Sequence, residues 1–211
     1  YCARNLVIPT FKSIELRQRC HAVQIDTIEK RIDQMPDKAV SYAYLARLYE
    51  GNKNWVKAAT FYSKSLQIKP DDASVHEALA NNLRRQGRIR ESIDEYRKAL
   101  LLNPDLGGAL NSLGWILATI GDSRVRNSRE AVKLAERACK LTNYKNPYTF
   151  DTLGAAYAAG GRFSDATDAV EKALQLMRES EGKAARLKAM QDRLQLYQSG
   201  KMYVKPDLDI P

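Results

Sequence analysis

Residues 71–104 decide the fold of this chain: they read DDASVHEALANNLRRQGRIRESIDEYRKALLLNP and end on Pro104. The preceding stretch, 37–70, also has 34 residues and also ends on a proline, Pro70. When the two stretches are aligned, similar residues occupy the same positions: Leu45-Ala46 and Leu79-Ala80, Ala58 and Ser92, and Tyr62 and Tyr96. Agreement at several positions in phase indicates an internal repeat with a period of 34 residues.

Two further copies of the repeat follow, at 105–146 and 147–178. Each keeps a leucine followed by a small residue, Leu113-Gly114 and then Leu153-Gly154. In the third copy, Ala131 lies 18 positions after Leu113, whereas the same interval is 13 in the other copies. Because insertions in repeats fall in loops, we expect the extra residues in the turn between the two helices of that copy.

Each copy carries two helical patterns. In the first copy, Tyr42, Leu45 and Tyr49 recur at helical spacing, and Ala58 opens a second pattern of the same kind. Proline at the end of a copy stops the second helix, since proline cannot continue one. One helix pair cannot bury its own apolar face, so neighbouring pairs must stack. We therefore predict an all-α, right-handed superhelical solenoid of four helix pairs.

These positions resemble the tetratricopeptide repeat (TPR), which follows Trp-x2-Leu-Gly-x2-Tyr, then Ala-x3-Phe, then Ala and Pro. The Trp slot holds Tyr42, His76, Leu110 and Phe150, and the Tyr slot holds Tyr49, Leu83, Leu117 and Tyr157. The resemblance covers 37–178 and implies a protein-interaction scaffold whose first helices line a groove. The third copy, from Trp115 to Cys139, looks like the repeats of large bacterial TPR proteins, which implies a bacterial source.

The two ends of the chain flank the repeats. We predict an N-terminal helical flank over 1–36 and a C-terminal capping helix over 179–200. The capping helix carries one apolar stripe: Leu187, Met190, Leu194 and Tyr197. Solenoids need such caps with one wet face. Residues 201–211 have no apolar period and are predicted to form an extended tail.

The composition excludes several classes of protein. Hydrophobic residues make up 44% and charged residues 28% of the 211 residues, which excludes wholesale disorder. The sequence contains no apolar run long enough to span a membrane. Three scattered cysteines and two histidines favour neither a disulfide framework nor a zinc site. Without a nucleophile motif or a phosphate-binding glycine loop, we predict no catalytic residue, no metal, no cofactor and no enzyme activity.

The resemblance implies partner contacts on the groove face of the first helices, two before, two after and five after the leucine slot. The candidates are Arg47, Glu50, Glu77, Asn81, Arg84, Asn111, Trp115 and Asp151, with Tyr148 one turn earlier. Their amides and guanidinium groups suit a peptide with an apolar side chain beside an acidic group, and Trp115 is the candidate anchor. Ordinary solvated helix residues, and a Trp115 packed against the inserted loop, are the structural alternatives.

A net charge of +9 keeps a rival function open. Basic residues cluster in 124–145 and 183–205, where they could bind RNA or anionic lipid. A solvated positive surface is the plainer interpretation, because no aromatic ladder for base stacking accompanies them. A second rival is an auxiliary module of a larger membrane-associated or enzymatic protein, tethered by a segment before Tyr1, because the chain does not begin with Met. The partner, the compartment and the oligomeric state stay open.

Overall fold

The computed structural model describes residues 23–178 and 184–205, and Cys2, Cys20 and His21 lie outside them. The described helices are α1 (23–31), α2 (Lys38–Gly51), α3 (Trp55–Ile68), α4 (Ala73–Arg85), α5 (Ile89–Leu102), α6 (Gly107–Thr119), α7 (Ser128–Leu141), α8 (Pro147–Ala159), α9 (Phe163–Arg178) and α10 (Ala184–Gln198). A short 3-10 turn, Ile32–Gln34, follows α1. No strand occurs within the described residues, which agrees with the predicted all-α class.

The chain divides into two compact units, Tyr1–Glu95 and Tyr96–Pro211. The first unit holds α1 to α4 and the start of α5, and the second holds the rest of α5 and α6 to α10. Helices pack in consecutive pairs as predicted, α2 with α3, α6 with α7 and α8 with α9. We call α2, α4, α6 and α8 the first helices, and α3, α5, α7 and α9 the second helices.

Short polar side chains begin many of these helices. One side chain at each start accepts a hydrogen bond from a backbone N–H of the following first turn: Asp37, Asn54, Asp72, Asn127 and Asn146. Each cap satisfies a donor that the helix itself leaves unpaired, which contributes about 1 kcal/mol. Asn127 closes the inserted turn of the third copy, and Pro147 opens α8, where its missing N–H is harmless.

The core of the first unit lies among α1, α2, α3 and α4. Leu45 and Tyr62 are almost fully buried in it, α1 contributes two isoleucines, and the 3-10 turn contributes Ile32. The Tyr49 hydroxyl donates a hydrogen bond to Glu29 on α1 at 2.6 Å. Burial, together with the neighbouring Glu29, raises the pKa of Tyr49 to about 12. The hydroxyl therefore stays protonated and holds α1 against α2.

His76 fills the slot that holds Trp in the repeat pattern, and it ties α4 to α5. Its buried ring places Nδ1 2.6 Å from Oε2 of Glu95 and Nε2 2.9 Å from the carbonyl oxygen of Pro70. A carbonyl oxygen only accepts, so Nε2 carries a proton. The Ser92 hydroxyl adds a second link between the helices by donating to the Ala80 carbonyl at 2.8 Å. Polar contacts thus replace part of the aromatic packing at this slot.

Glycines let the paired helices of the second unit approach closely. A Cβ added to Gly154 would lie 2.6 Å from Cγ2 of Val170 and 3.1 Å from the Ala166 carbonyl oxygen. At Gly114 the nearest neighbour would be the Ala131 carbonyl oxygen at 3.4 Å. The pair α8–α9 therefore depends more strictly on glycine than the pair α6–α7, because overpacking strains a filled interface.

Helix α10 ends in the way that first helices end. Gly87, Gly161 and Gly200 have φ angles of 76°, 76° and 71°, which favour glycine. The residue after each glycine donates its N–H to the carbonyl five residues earlier: Arg88 to Leu83, Arg162 to Tyr157, and Lys201 to Leu196. A second helix follows Gly87 and Gly161, whereas residues 201–205 are not helical. We call residues 201–205 the C-terminal segment.

Candidate functional site

Glu50, a predicted groove residue, makes hydrogen bonds inside the first unit. Its carboxylate accepts from the Tyr62 hydroxyl at 3.0 Å and from Nδ2 of Asn82 at 3.1 Å. Burial, with the nearby Glu50 charge, raises the pKa of Tyr62 well above its usual value. Asn82 is fully buried and accepts in turn from Gln86 at 2.7 Å. Glu50 therefore connects α2, α3 and α4.

The predicted groove residues of α4 are all half-buried. Burial raises the pKa of the Glu77 carboxyl. Nδ2 of Asn81 donates to the Glu77 carbonyl at 3.0 Å. Nε of Arg84 is buried and finds no hydrogen-bond partner among residues 23–178 and 184–205. Helix α4 thus presents a carboxyl group that ionises less readily than usual and a guanidinium with an unused donor.

An exposed stripe runs along α2. Val40, Tyr44 and Arg47 follow one another at helical spacing, so they share one face. Val40 is 60% exposed and Tyr44 is 46% exposed. Apolar side chains that stay exposed together beside polar ones are typical of an interaction surface. The sequence analysis predicted Arg47 as a groove residue but did not select Val40 or Tyr44. The signal that could have identified them is an apolar pair four residues apart on the same helix face.

Trp115 on α6 is covered by the end of the chain. Its half-buried ring has its centroid 6.0 Å from that of Tyr203 in the C-terminal segment. The Arg193 guanidinium of α10 lies 5.2 Å from the Trp115 centroid and 5.5 Å from the Tyr203 centroid. These distances are those of cation–π contacts. Trp115 is therefore one wall of an aromatic site that holds an arginine.

Asp151 and Arg193 form a buried ion pair. Nε and Nη2 of Arg193 donate to the two carboxylate oxygens at 2.9 Å and 2.6 Å. The two residues are only 7% and 8% exposed. Burial raises the pKa of the Asp151 carboxyl, and the facing guanidinium opposes that rise. The two parallel hydrogen bonds fix the plane of the guanidinium, which orients it toward Trp115.

Tyr148 on α8 also meets α10. Its hydroxyl accepts a hydrogen bond from Arg186, whose guanidinium lies 5.1 Å from the Tyr148 ring centroid. The remaining predicted residue of this unit, Asn111, is half-buried, and its Oδ1 has no hydrogen-bond partner in the described part of the chain. Three of the four groove candidates in the second unit thus contact α10 or the C-terminal segment.

The C-terminal segment makes two further contacts. The backbone N–H of Lys205 donates to the carbonyl of Thr119, the last residue of α6, at 2.9 Å. Nη1 of Arg126, in the inserted turn, lies 3.0 Å from Sδ of Met202. Part of the predicted tail therefore lies along the second unit in a defined position, and 206–211 are outside the described residues.

Sequence reasoning missed the two residues that cover Trp115. It assigned Arg193 to a basic run and gave no role to Tyr203. A buried carboxylate needs a partner, so Asp151, between Phe150 and the Leu153 slot, was a signal that some cation approaches it. Neither spacing nor periodicity identifies which of the many arginines that cation is.

Comparison with known proteins agrees with the fold. Residues 73–106 match the family model described as tetratricopeptide repeat. The crystal structure of MamA superposes with a TM-score of 0.66 at 17% identity, covering 82% of this chain and 98% of that one. Residues 73–106 are thus a tetratricopeptide repeat, and the described chain has the fold of a tetratricopeptide repeat solenoid. The fold predicted from the repeat pattern is thereby confirmed.

Relatives of this TPR protein include much longer chains. Protein O-mannosyl-transferase TMTC1 of Mus musculus is 35% identical over 74 residues, which are 35% of this chain and 8% of that protein. The crystal structure of the APC/C hetero-tetramer Cut9-Hcn1 has a TM-score of 0.65 at 18% identity and covers 87% of this chain and 33% of that one. The likeness to solved structures shows the fold alone.

The basic stretches of this TPR protein are partly neutralised. Three basic residues of these stretches form ion pairs with nearby carboxylates: Arg124 with Asp122, Arg137 with Asp105, and Lys188 with Asp192. Burial raises the pKa of the Cys139 thiol, which is typical of an unreactive cysteine. Within the described residues, no cluster of His, Cys, Asp and Glu suits a metal ion, and none of the helices has the length and apolar character of a membrane span.

Proposed function

We propose that this TPR protein is a non-catalytic scaffold that binds an extended segment of a partner protein along α2 and α4 of its first unit. The observation that carries the proposal is the exposed stripe of Val40, Tyr44 and Arg47 on α2. TPR folds in general serve protein–protein interaction. A protein partner is also supported by Cut9-Hcn1, where the similar chain belongs to a hetero-tetramer.

The stripe fits a segment that carries an apolar side chain beside an acidic group. Val40 and Tyr44 offer apolar area, whose burial contributes about 25 cal/mol per Å². Arg47 can bind a carboxylate through two parallel hydrogen bonds, and it lies beside the Tyr62 hydroxyl. Asn81 occupies the equivalent slot of α4, where its amide can bond a peptide backbone.

A displayed library of short random peptides, selected on the native chain, tests this proposal. Selected peptides should bind the double variant Tyr44→Ala/Arg47→Glu at least about tenfold more weakly, because an aromatic and an arginine anchor are lost together. The matched control is Lys172→Glu, which reverses a charge at an exposed position of the second helix α9. Fluorescence anisotropy of labelled peptides gives the affinities.

Equal affinity for the native chain and the double variant would contradict the proposed surface. Circular dichroism of the double variant provides the folding control, because surface substitutions of exposed side chains change stability little. Loss of binding in Lys172→Glu as well would show that net charge, rather than the stripe, attracts the peptides.

A second proposal is that these repeats form a module of a larger protein. It draws support from the mannosyl-transferase relative, of which the matched stretch is only 8%. Binding of RNA or anionic lipid has less support, because Arg124, Arg137 and Lys188 already have carboxylate partners. Salt-dependent sedimentation with anionic liposomes or single-stranded RNA would favour that rival.

A further inference from the structure

We propose that Trp115, Arg193 and the Thr119 carbonyl form a second binding surface, which accepts an extended segment with one aromatic side chain. The C-terminal segment occupies this surface as a ligand supplied by the chain itself. The inference does not depend on the stripe of the first unit, since each of its contacts lies within the second unit.

The C-terminal segment is held as a bound peptide is held. Tyr203 lies against the Trp115 ring and beside the Arg193 guanidinium. Two residues later, the backbone N–H of Lys205 donates to the Thr119 carbonyl at 2.9 Å. One aromatic anchor and one main-chain hydrogen bond are the elements by which extended peptides are recognised. Tyr203 itself remains half-exposed, because its ring packs on the edge of the second unit's core.

The protein side of the contact is built without the C-terminal segment. Trp115 projects from α6, and Arg193 is fixed by its bidentate pair with Asp151 on α8. The Thr119 carbonyl belongs to the last turn of α6, where helix carbonyls lack an intrahelical donor. The site therefore offers a flat indole, a fixed guanidinium and an acceptor in need of an N–H.

These three groups define the chemistry of the ligand. A guanidinium that lies beside an indole favours a second aromatic ring on its own remaining face. The acceptor at Thr119 requires a residue with an N–H, and hence not proline, two positions after that ring. The fitting partner is thus a segment of the form aromatic-x-x′ in which x′ is any residue except proline, and Tyr203-Val204-Lys205 is one instance.

Attachment to α10 gives the C-terminal segment an advantage over any ligand added in solution. A short connection raises the effective concentration of an intrachain ligand to about the millimolar range. An external segment therefore binds poorly while Tyr203 occupies the site, and well once Tyr203 is removed. The native contact acts as a competitor that a partner must displace.

The probe is the acetylated and amidated peptide of residues 200–205, added to full-length chains while the Trp115 indole N–H signal is followed by NMR. We expect the Tyr203→Ala chain to bind this peptide at least about tenfold more tightly than the native chain does. A Lys205→Pro chain, which loses this N–H together with the lysine side chain, should bind it with intermediate affinity. The same peptide carrying Tyr203→Ala should bind neither chain.

Four results would overturn the inference. The first is equal peptide affinity for the native and Tyr203→Ala chains. The second is undiminished binding to a Trp115→Ala/Tyr203→Ala chain. The third is unfolding of Tyr203→Ala at ambient temperature, since the C-terminal segment would then be part of the core. A native dimer that Tyr203→Ala dissociates, detected by analytical ultracentrifugation, would assign the segment to a second copy and contradict the intrachain assignment.

Discussion

Arg47 and Trp115 occupy equivalent positions of the repeat, two periods of 34 residues apart, yet their surroundings differ. Arg47 is exposed on α2 with Tyr44 and Val40 beside it. Trp115 on α6 lies beneath Tyr203 and Arg193. Position in a repeat therefore determines which face a side chain lies on. Whether that face meets solvent depends on where the chain runs once the last repeat has ended.

The largest expected effect tests the covered side of this comparison. Replacing Arg193 with alanine leaves the Asp151 carboxylate buried without its counter-ion, so the free energy of unfolding should fall by about 3–5 kcal/mol. Urea denaturation monitored by circular dichroism measures the change. The control on the same helix is Arg186→Ala, an exposed residue whose loss should cost less than about 1 kcal/mol.

Equal destabilisation by Arg193→Ala and Arg186→Ala would contradict a special role for the buried pair. The double variant Asp151→Leu/Arg193→Met removes both charges and keeps apolar volume. It should recover most of the lost stability, because a buried pair replaced as a whole leaves no uncompensated charge.

Trp115→Ala and Arg47→Ala compare the two equivalent positions directly. Trp115→Ala should lower the free energy of unfolding by about 2 kcal/mol, because a half-buried indole loses its contacts with Tyr203 and Arg193. Arg47→Ala should change it by less than about 0.5 kcal/mol, as expected for an exposed residue. Similar values for the two variants, in the same urea titration, would remove the distinction between the open and covered faces.

Glu50→Ala tests whether a groove position of the first unit can be structural. The variant removes the acceptor for Tyr62 and Asn82, and Asn82 is fully buried. Leaving a buried donor unsatisfied should cost about 1–2 kcal/mol. Thermal unfolding measures the loss, with exposed Val40→Ala as the reference on α2. A neutral Glu50→Ala would mean that solvent replaces these hydrogen bonds.

The smallest effect should come from Glu77→Gln. Because burial raises the pKa of this carboxyl, the stability that its protonated form supports is present at low pH and declines as pH rises through the raised pKa. At pH 7 the neutral glutamine should therefore stabilise the chain by a few tenths of a kcal/mol, a discounted figure for a half-exposed group. Unfolding midpoints at several pH values should converge below about pH 4, the usual range of Glu.

The helix pairs were predictable because the determinants are local and repeat in phase. Leucine slots, small residues and prolines recur at fixed positions, so four copies reinforce one another. The inserted turn was predictable from one changed interval, from Leu113 to Ala131. The turns after α4 and α8 also have a local determinant, since Gly87 and Gly161 both adopt positive φ.

The covered face was not predictable in the same way. Arg193 lies 42 residues after Asp151, and Tyr203 lies 88 residues after Trp115, so neither contact has a periodic signature. Both depend on the path of the chain after the last repeat, where the pattern ends. On α2, Val40 and Tyr44 were missed for a different reason: the repeat pattern assigns them no slot.

The turn at Gly200 has a consequence for how arrays of this kind lengthen. Helix α10 closes with the same backbone turn as α4 and α8, and in those two cases a second helix follows the turn. A graft of one second helix after Gly200 would complete a fifth unit with no change upstream. The same graft would carry Tyr203 away from Trp115, so growth of the array by one helix would also expose the indole.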